Sequence, residues 1–309
     1  MNRISTASTY GSVVSNLMAA QQRQMIAGEK VSTQKNGNDL KDFARDAEIL
    51  TAMRSSDSRI GTYLEQNKFV ADKLTTQDFA LNQISSSVKE VAETIRQALA
   101  SGRGDTLMQD LQGFLNGVTD GLNARYGGKY VFSGGRIDTP AVTAEKLSDL
   151  TDPLKTIADF FQNDDFITEA KVDDATTVKT GMLADDIGTN VLQAFKDMQT
   201  FEESADGNFS GQLTTAQVDF LKGVLQGWDD LYDETVNITA RNGMVQGRVD
   251  NVKEDLTARQ TTLAGMIGDI TDADMAFAAT QLTSAQLAVQ AASQVFVTLQ
   301  GSSLLNVLQ

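Results

Sequence analysis

Two stretches of the chain place their apolar residues at spacings that alternate between four and three without a slip. The first runs Ile60, Leu64, Asn67, Ala71, Leu74, Asp78, Leu81, Ser85, Val88, Ala92, Ile95 and Leu99. The second runs Leu221, Val224, Trp228, Leu231, Thr235, Ile238, Asn242, Val245, Val249, Val252, Leu256, Arg259, Leu263, Met266 and Ile270. This alternation is the seam of a coiled coil. It predicts two long amphipathic helices, the second reaching roughly 70 Å or more at the α-helical rise. The candidate rod core is Ile60, Leu64, Leu74, Leu81, Val88 and Ile95 from the first helix. The second contributes Leu221, Trp228, Leu231, Val245, Val249, Val252, Leu256 and Leu263. Asn67, Asp78 and Ser85 are polar seam positions, of a kind that fixes register at some cost in stability. "TTAQ", ending at Gln217, has the spacing of a capping box where the second helix begins.

Between the two seams the pattern changes. "SGRGD" breaks the first helix with two glycines, and Leu107, Leu111, Phe114, Val118 and Leu122 then predict a further helix. In "YGGKYVFSGGRIDTPAV", Tyr130, Val131 and Phe132 favour a strand flanked by paired glycines, which reads as a hairpin. From about Gly134 to Gly211 the helical period fades and both prolines appear, Pro140 and Pro153. The expected fold is therefore mainly α: a long antiparallel coiled-coil rod of N- and C-terminal segments, with a hairpin and a small inserted mixed α/β or β-rich domain. Three parts are expected. Residues 1–40 with 270–309 form a discontinuous terminal-helix domain, 41–134 with 212–269 the rod, and 135–211 an outer insertion.

The last segment differs in chemistry from the rest. From Met275 to Gln309 there is no Asp, Glu, Lys or Arg. Met275, Ala278, Leu282, Ala285, Val289, Ala292, Phe296 and Leu299 follow the heptad, with alanines that admit a partner helix closely. Near the other end Ile4, Ala7, Val14, Met18 and Met25 fall at approximately heptad spacing. These thirteen positions are the candidate subunit-packing residues. Two terminal helices of matching character can pair with each other, and outer faces without charge suit burial among identical or related subunits. "ITDADM" separates the tail from the rod, with Asp272 and Asp274 suited to a helix N-terminus.

Composition narrows the function. The 309 residues carry a formal net charge of -15, with no cysteine and no histidine. Disulfides are excluded, and with them most zinc sites and the commonest general base. So acidic a chain lacks the basic patch that displaces counterions from nucleic acid. The start "MNRISTASTYGSVVSNLM" has no apolar core of a signal peptide, and the tail is too interrupted by glutamines for a membrane span. "DFFQNDDF" and "KVDDATT" offer adjacent carboxylates for calcium or acid–base work, but neither has a calcium-loop spacing, and solvated turns explain both. The Arg103–Gly104–Asp105 triplet resembles an integrin-binding motif and reads more simply as a turn. No catalytic residue, cofactor or metal ligand is expected. A surface-binding role for 136–211 would need an aromatic platform; Phe160, Phe161 and Phe166 offer themselves for one and are better read as core.

The start "NRISTASTYGSVVSNL", the segment "GGKYVFSGGRIDTPAV" and the ending from "ITDADMA" to "SLLNVLQ" together resemble the flagellin family. Within it they are most similar to the hook-associated members that stand between hook and filament. The stretch "IAGEKVSTQKNGNDLKDFA" departs from the family: it keeps Gly28-x-Lys30 but lacks the double Asp-Pro found there. The resemblance implies paired terminal helices in an inner domain, long helices plus a hairpin in the next, and the insertion outermost. It also implies head-to-tail helical polymerisation with identical subunits, a hook-side hook-associated protein and flagellin as neighbours, and export without a cleaved signal peptide. A cytoplasmic chaperone covering the C-terminal helices is implied as well. A filament subunit, or a flagellin-like surface-binding protein, remains the alternative.

Overall fold

The computed structural model describes residues 2–305, with side chains from residue 10 to residue 300. Its elements in order are α1 (Asn2–Thr33), α2 (Ala47–Ser101), α3 (Leu107–Leu122), β1 (Arg125–Tyr126), β2 (Lys129–Tyr130) and α4 (Leu147–Leu150). These are followed by β3 (Glu169–Lys171), β4 (Thr177–Lys179), α5 (Ala184–Glu202), α6 (Thr215–Thr271) and α7 (Met275–Leu305). The fold is mainly helical, with two small antiparallel two-stranded sheets, β1–β2 and β3–β4. It divides into two compact units. The terminal unit is Met1–Arg59 with Arg259–Gln309, and the central unit is Ile60–Ala258.

Both predicted long helices form, α2 with 55 residues and α6 with 57. The α6 start is the reciprocal cap its sequence announces. The Thr214 N–H donates to Gln217 Oε1 at 2.9 Å and the Gln217 N–H donates to Thr214 Oγ1 at 3.3 Å. In the central unit the two helices run antiparallel. Asn242 and Gln246 of α6 both donate to the Leu74 carbonyl of α2, at 3.1 and 2.9 Å. Arg96 pairs with Asp229, and Lys89 sits over the Tyr232 ring. Of the rod-core residues, Leu74, Leu81, Val88, Ile95, Leu221, Trp228, Val249 and Leu256 are buried. Ile60, Leu64, Leu231, Val245, Val252 and Leu263 are half-buried.

Two buried amides of α2, only the first of them at a seam position, have specific work. Asn67 is fully buried and donates to the Val172 carbonyl at 2.8 Å; Gln77, equally buried, donates to the Thr180 carbonyl at 3.1 Å. These amides satisfy backbone acceptors at either end of the β3–β4 hairpin and so fix where it lies on α2.

Within the central unit, residues 135–211 share one continuous core with α2, α3 and α6 through Val142, Leu147, Leu150, Phe160, Ile187 and Val191. The reason is α5, a helix of 19 residues that buries Ile187, Val191, Leu192, Phe195 and Met198 on one face. Phe195 meets Trp228 edge-on, ring centroids 4.9 Å apart. Phe160 is buried in that core and Phe161 half-buried, whereas Phe166 is exposed.

The hairpin forms with a turn one step earlier than its strand residues suggest. Gly127 and Gly128 have φ of 57° and 81°, the two positive values a tight hairpin turn requires. Only Lys129 and Tyr130 pair as strand; Val131 and Phe132 run on as buried, irregular chain.

Candidate assembly interface

In the terminal unit α1 and α7 pack against each other along their length. The pairing is antiparallel. Tyr10 meets Phe296 with ring centroids 5.3 Å apart, and a methyl at Gly28 would stand 3.9 Å from Leu282 Cδ1. Small residues fill the seam: Ala20, Ala27, Ala278 and Ala285 are buried. Where alanines face one another two helix backbones can approach closely, and dispersion contacts there take the place of the bulky knobs of the central unit.

A set of bonds fixes the far end of this pair. The Lys35 ammonium pairs with the Asp272 carboxylate, and the Asn36 amide donates to the Asp272 carbonyl at 2.8 Å. The Asn36 N–H donates to the Thr271 carbonyl at 2.8 Å and the Ala273 N–H to that of Gln34 at 2.9 Å. Gln34 takes a left-handed φ of 58° to make the turn. Lys35, followed by the Thr271 hydroxyl, holds the Asp272 carboxyl below its usual range. Asp274 caps α7, accepting from the Ala276 and Phe277 N–H groups at 2.9 and 3.1 Å. Of the two aspartates expected at a helix start, only Asp274 caps; Asp272 ties the connection to the end of α1.

The packing candidates divide by face. Ala278 and Ala285 are buried, and Val14, Leu282, Val289, Ala292, Phe296 and Leu299 are half-buried. These lie on the side of the pair that the chain itself covers. Met18, Met25 and Met275 are exposed. Ile4 and Ala7 belong to α1, but their side chains lie outside the described residues. Five uncovered apolar residues escaped the heptad reading: Ile26, Phe277, Leu287, Val295 and Val297. Their signal was present as large apolar residues off the seam, four of them in a segment with no charge. Around them Gln281, Gln286, Gln290 and Gln294 are exposed, so the outer face of α7 is neutral throughout. A shallow groove of about 430 Å³ between the helices has Arg23, Ile26, Phe277 and Gln281 on its walls.

Other candidate chemistry resolves into structure. Arg103 donates to Asp105 at 2.9 Å, and Asp105 also accepts the Gly211 N–H at 2.8 Å, so the Arg-Gly-Asp triplet is closed on itself and on its neighbour. Asp164 accepts the Gly135 and Phe166 N–H groups at 2.7 and 3.1 Å; Asp159 caps the turn at Thr156 at 2.7 Å. Asp174 accepts the Tyr63 hydroxyl at 3.1 Å. Among the described residues no group of three or more carboxylates is placed to hold a metal, and no helix is long and apolar enough to cross a membrane. A cleft of about 600 Å³ in the central unit is bordered by Lys179, Met182, Asp186, Arg241 and Asn242.

Two sequence profiles match this arrangement. The bacterial flagellin N-terminal helical region matches residues 4–136, and the bacterial flagellin C-terminal helical region matches residues 225–308. The chain belongs to the flagellin family. The family consists of structural, non-enzymatic subunits of the bacterial flagellum, which assemble with one another and with other flagellar subunits. Two solved structures share the fold. A chain described as a flagellar hook-associated protein from Vibrio parahaemolyticus is 17% identical with a TM-score of 0.59; the match covers 75% of this chain and 100% of that one. FlgL of Bacillus cereus is 16% identical with a TM-score of 0.53, covering 71% of this chain and 99% of that one. No curated protein sequence matches the chain.

Proposed function

We propose that this flagellin-family chain is the junction subunit between hook and filament, the role of hook-associated protein 3, and that it polymerises through its terminal helices. The observation that carries this reading is the α1–α7 pair with its uncovered apolar residues Met18, Met25, Ile26, Phe277, Leu287, Val295 and Val297, the α7 side of it without charge. A lone helix pair has no use for such a face, and burial of apolar surface is the main driving force of association. The neighbours are identical subunits, a hook-side hook-associated protein and flagellin, joined head to tail in an open helical geometry. The segment "GGKYVFSGGRIDTP" and the ending "SLLNVLQ" favour the junction role over a filament subunit, and both structural relatives are described as hook-associated or FlgL. The uncharged α7 suits export in an unfolded state under cover of a cytoplasmic chaperone that binds it.

Seeded assembly tests the role. Purified chain added to hook fragments capped by the hook-side associated protein should add one short layer and stop until flagellin is supplied. Unlimited growth from the seed makes it a filament subunit instead, and no addition to any seed defeats the assembly reading.

A further inference from the structure

Asn-Gly occurs three times, at Asn36–Gly37, Asn116–Gly117 and Asn242–Gly243. In this dipeptide an asparagine amide is open to attack by its own main chain, because glycine has no Cβ to crowd the following nitrogen. The backbone decides which copy can react. Asn116–Gly117 lies inside α3 and Asn242–Gly243 inside α6. There the glycine N–H belongs to the helical ladder and the asparagine ψ is fixed. Asn36–Gly37 lies in irregular chain beyond the end of α1. Exposure does not sort the three in the same way: Asn116 is exposed like Asn36, and only Asn242 is buried.

The flanks of Gly37 are tied down and its own nitrogen is not. The Asn36 N–H donates to the Thr271 carbonyl at 2.8 Å, and the Asn38 and Asp39 N–H groups donate to Asp42 Oδ2 at 3.1 and 3.0 Å. The Gly37 N–H has no acceptor among the described residues. The position also disfavours any larger residue, since a methyl there would collide with the Asp42 side chain. The fold of this connection therefore keeps an unengaged nitrogen next to an amide that donates to the Asp272 carbonyl at 2.8 Å.

We infer that Asn36–Gly37 is a site of spontaneous deamidation, and that its products undo the bonds joining the end of α1 to Asp272. The Gly37 nitrogen bonds to Asn36 Cγ, the Cγ–Nδ2 bond breaks, and the nitrogen's proton leaves with the amide as ammonia. Water then opens the cyclic imide. Opening at one carbonyl gives aspartate; opening at the other gives isoaspartate, whose main chain runs through the former side chain. Either product replaces a donor by a carboxylate. It cannot donate to the Asp272 carbonyl, and it sets a negative charge against the Asp272 carboxylate that Lys35 balances. Isoaspartate also adds a methylene to the backbone, which shifts Gly37 off its close approach to Asp42. The connection thus loosens irreversibly with the age of the molecule.

Ageing the full native chain in neutral buffer made with heavy-oxygen water tests both halves of the inference. Peptide mapping by mass spectrometry should find the label at residue 36, as a mixture of aspartate and isoaspartate. Conversion there should be about tenfold or more faster than at Asn116 or Asn242, where a ladder bond must break first. Hydrogen exchange of the aged chain should quicken at residues 34–38 and 271–276 and stay unchanged in α3. Asn36→Asp should exchange from the outset as the aged chain does, and Asn36→Gln should keep through ageing the pattern it starts with. Conversion at residue 36 no faster than at residues 116 and 242 overturns the site. Converted chain, or Asn36→Asp, that exchanges in both segments like fresh native chain overturns the loosening.

Discussion

The Tyr10 ring tilts at 51° onto that of Phe296, close to the two extremities of the described chain. Between this contact and the bonds joining Lys35 and Asn36 to Thr271 and Asp272, the buried residues of the α1–α7 seam are alanines, with Leu282 and Val289 half-buried beside them. The pair is thus fastened at both ends and thin in the middle. It holds its register by close backbone approach, which makes it sensitive to added volume.

Ala285→Leu should therefore destabilise the pair. Inserting a larger side chain at a buried seam position costs about 1–3 kcal/mol. Hydrogen exchange in residues 10–33 and 275–300 should accelerate while the central unit is unaffected. Equal exchange in both proteins would show that the seam is looser than the buried alanines indicate.

Acid should loosen the structure at defined points. The carboxyls of Asp272, Asp105, Asp159 and Asp164 are all held below the usual range: by Lys35, by Arg103, by the Thr156 N–H and by the Gly135 N–H respectively. A carboxyl with a depressed folded-state pKa contributes stability that is present above its unfolded value, about 3.9, and lost as pH falls through the depressed one. All four sites are exposed, so each effect is small, and the sign is loss of stability below about pH 4. Asp272→Asn should flatten the acid limb of exchange in residues 34–38 and 271–276. An unaltered pH profile there would mean that the Lys35 pair contributes nothing.

Asn67→Ala should act on the β3–β4 hairpin. It leaves the Val172 carbonyl buried and unpaired, which costs about 1–3 kcal/mol. Exchange across residues 168–181 should quicken more than exchange in α3 or α5. A uniform change would make Asn67 a general core residue rather than the hairpin's anchor.

How far the sequence could be read depended on the range of the forces involved. The α2 and α6 seams were legible because a coiled-coil contact repeats over fifteen or so turns, and Leu74, Val88, Trp228 and Leu256 each restate it. The Gly127–Gly128 turn was legible because positive φ is a local demand. The helix α5 was missed although Ile187, Val191, Phe195 and Met198 follow helical spacing. It is short, it sits between turn-rich segments, and its partners Trp228 and Leu122 are remote in sequence. The roles of Asn67 and Gln77 were invisible for the same reason, since their acceptors lie about a hundred residues away. At the terminal pair, heptad spacing identified the seam but not the uncovered face. Phe277, Leu287 and Val297 have no period of their own, and only the position of α1 shows which side of α7 stays open.

Two glycines of α3 separate packing from propensity. Gly113 is exposed, and a methyl there meets nothing within 4 Å. Gly113→Ala should stabilise the chain by up to about 1 kcal/mol, the helix-propensity difference alone. Gly121 is buried, and its methyl would fall 2.6 Å from Ile84 Cγ1 and 3.1 Å from the Ala80 carbonyl oxygen. The same propensity gain is available at Gly121, but α3 lies against α2 at that point and neither the branched side chain nor the backbone carbonyl can retreat far. Gly121→Ala should be net destabilising, by about 1–3 kcal/mol, as α3 is pushed off the seam. The midpoint of urea unfolding should therefore rise for the first variant and fall for the second. A shift in the same direction for both would mean that α3 is not held against α2 at that distance, and the shared core that joins the insertion to the rod would lose its innermost contact.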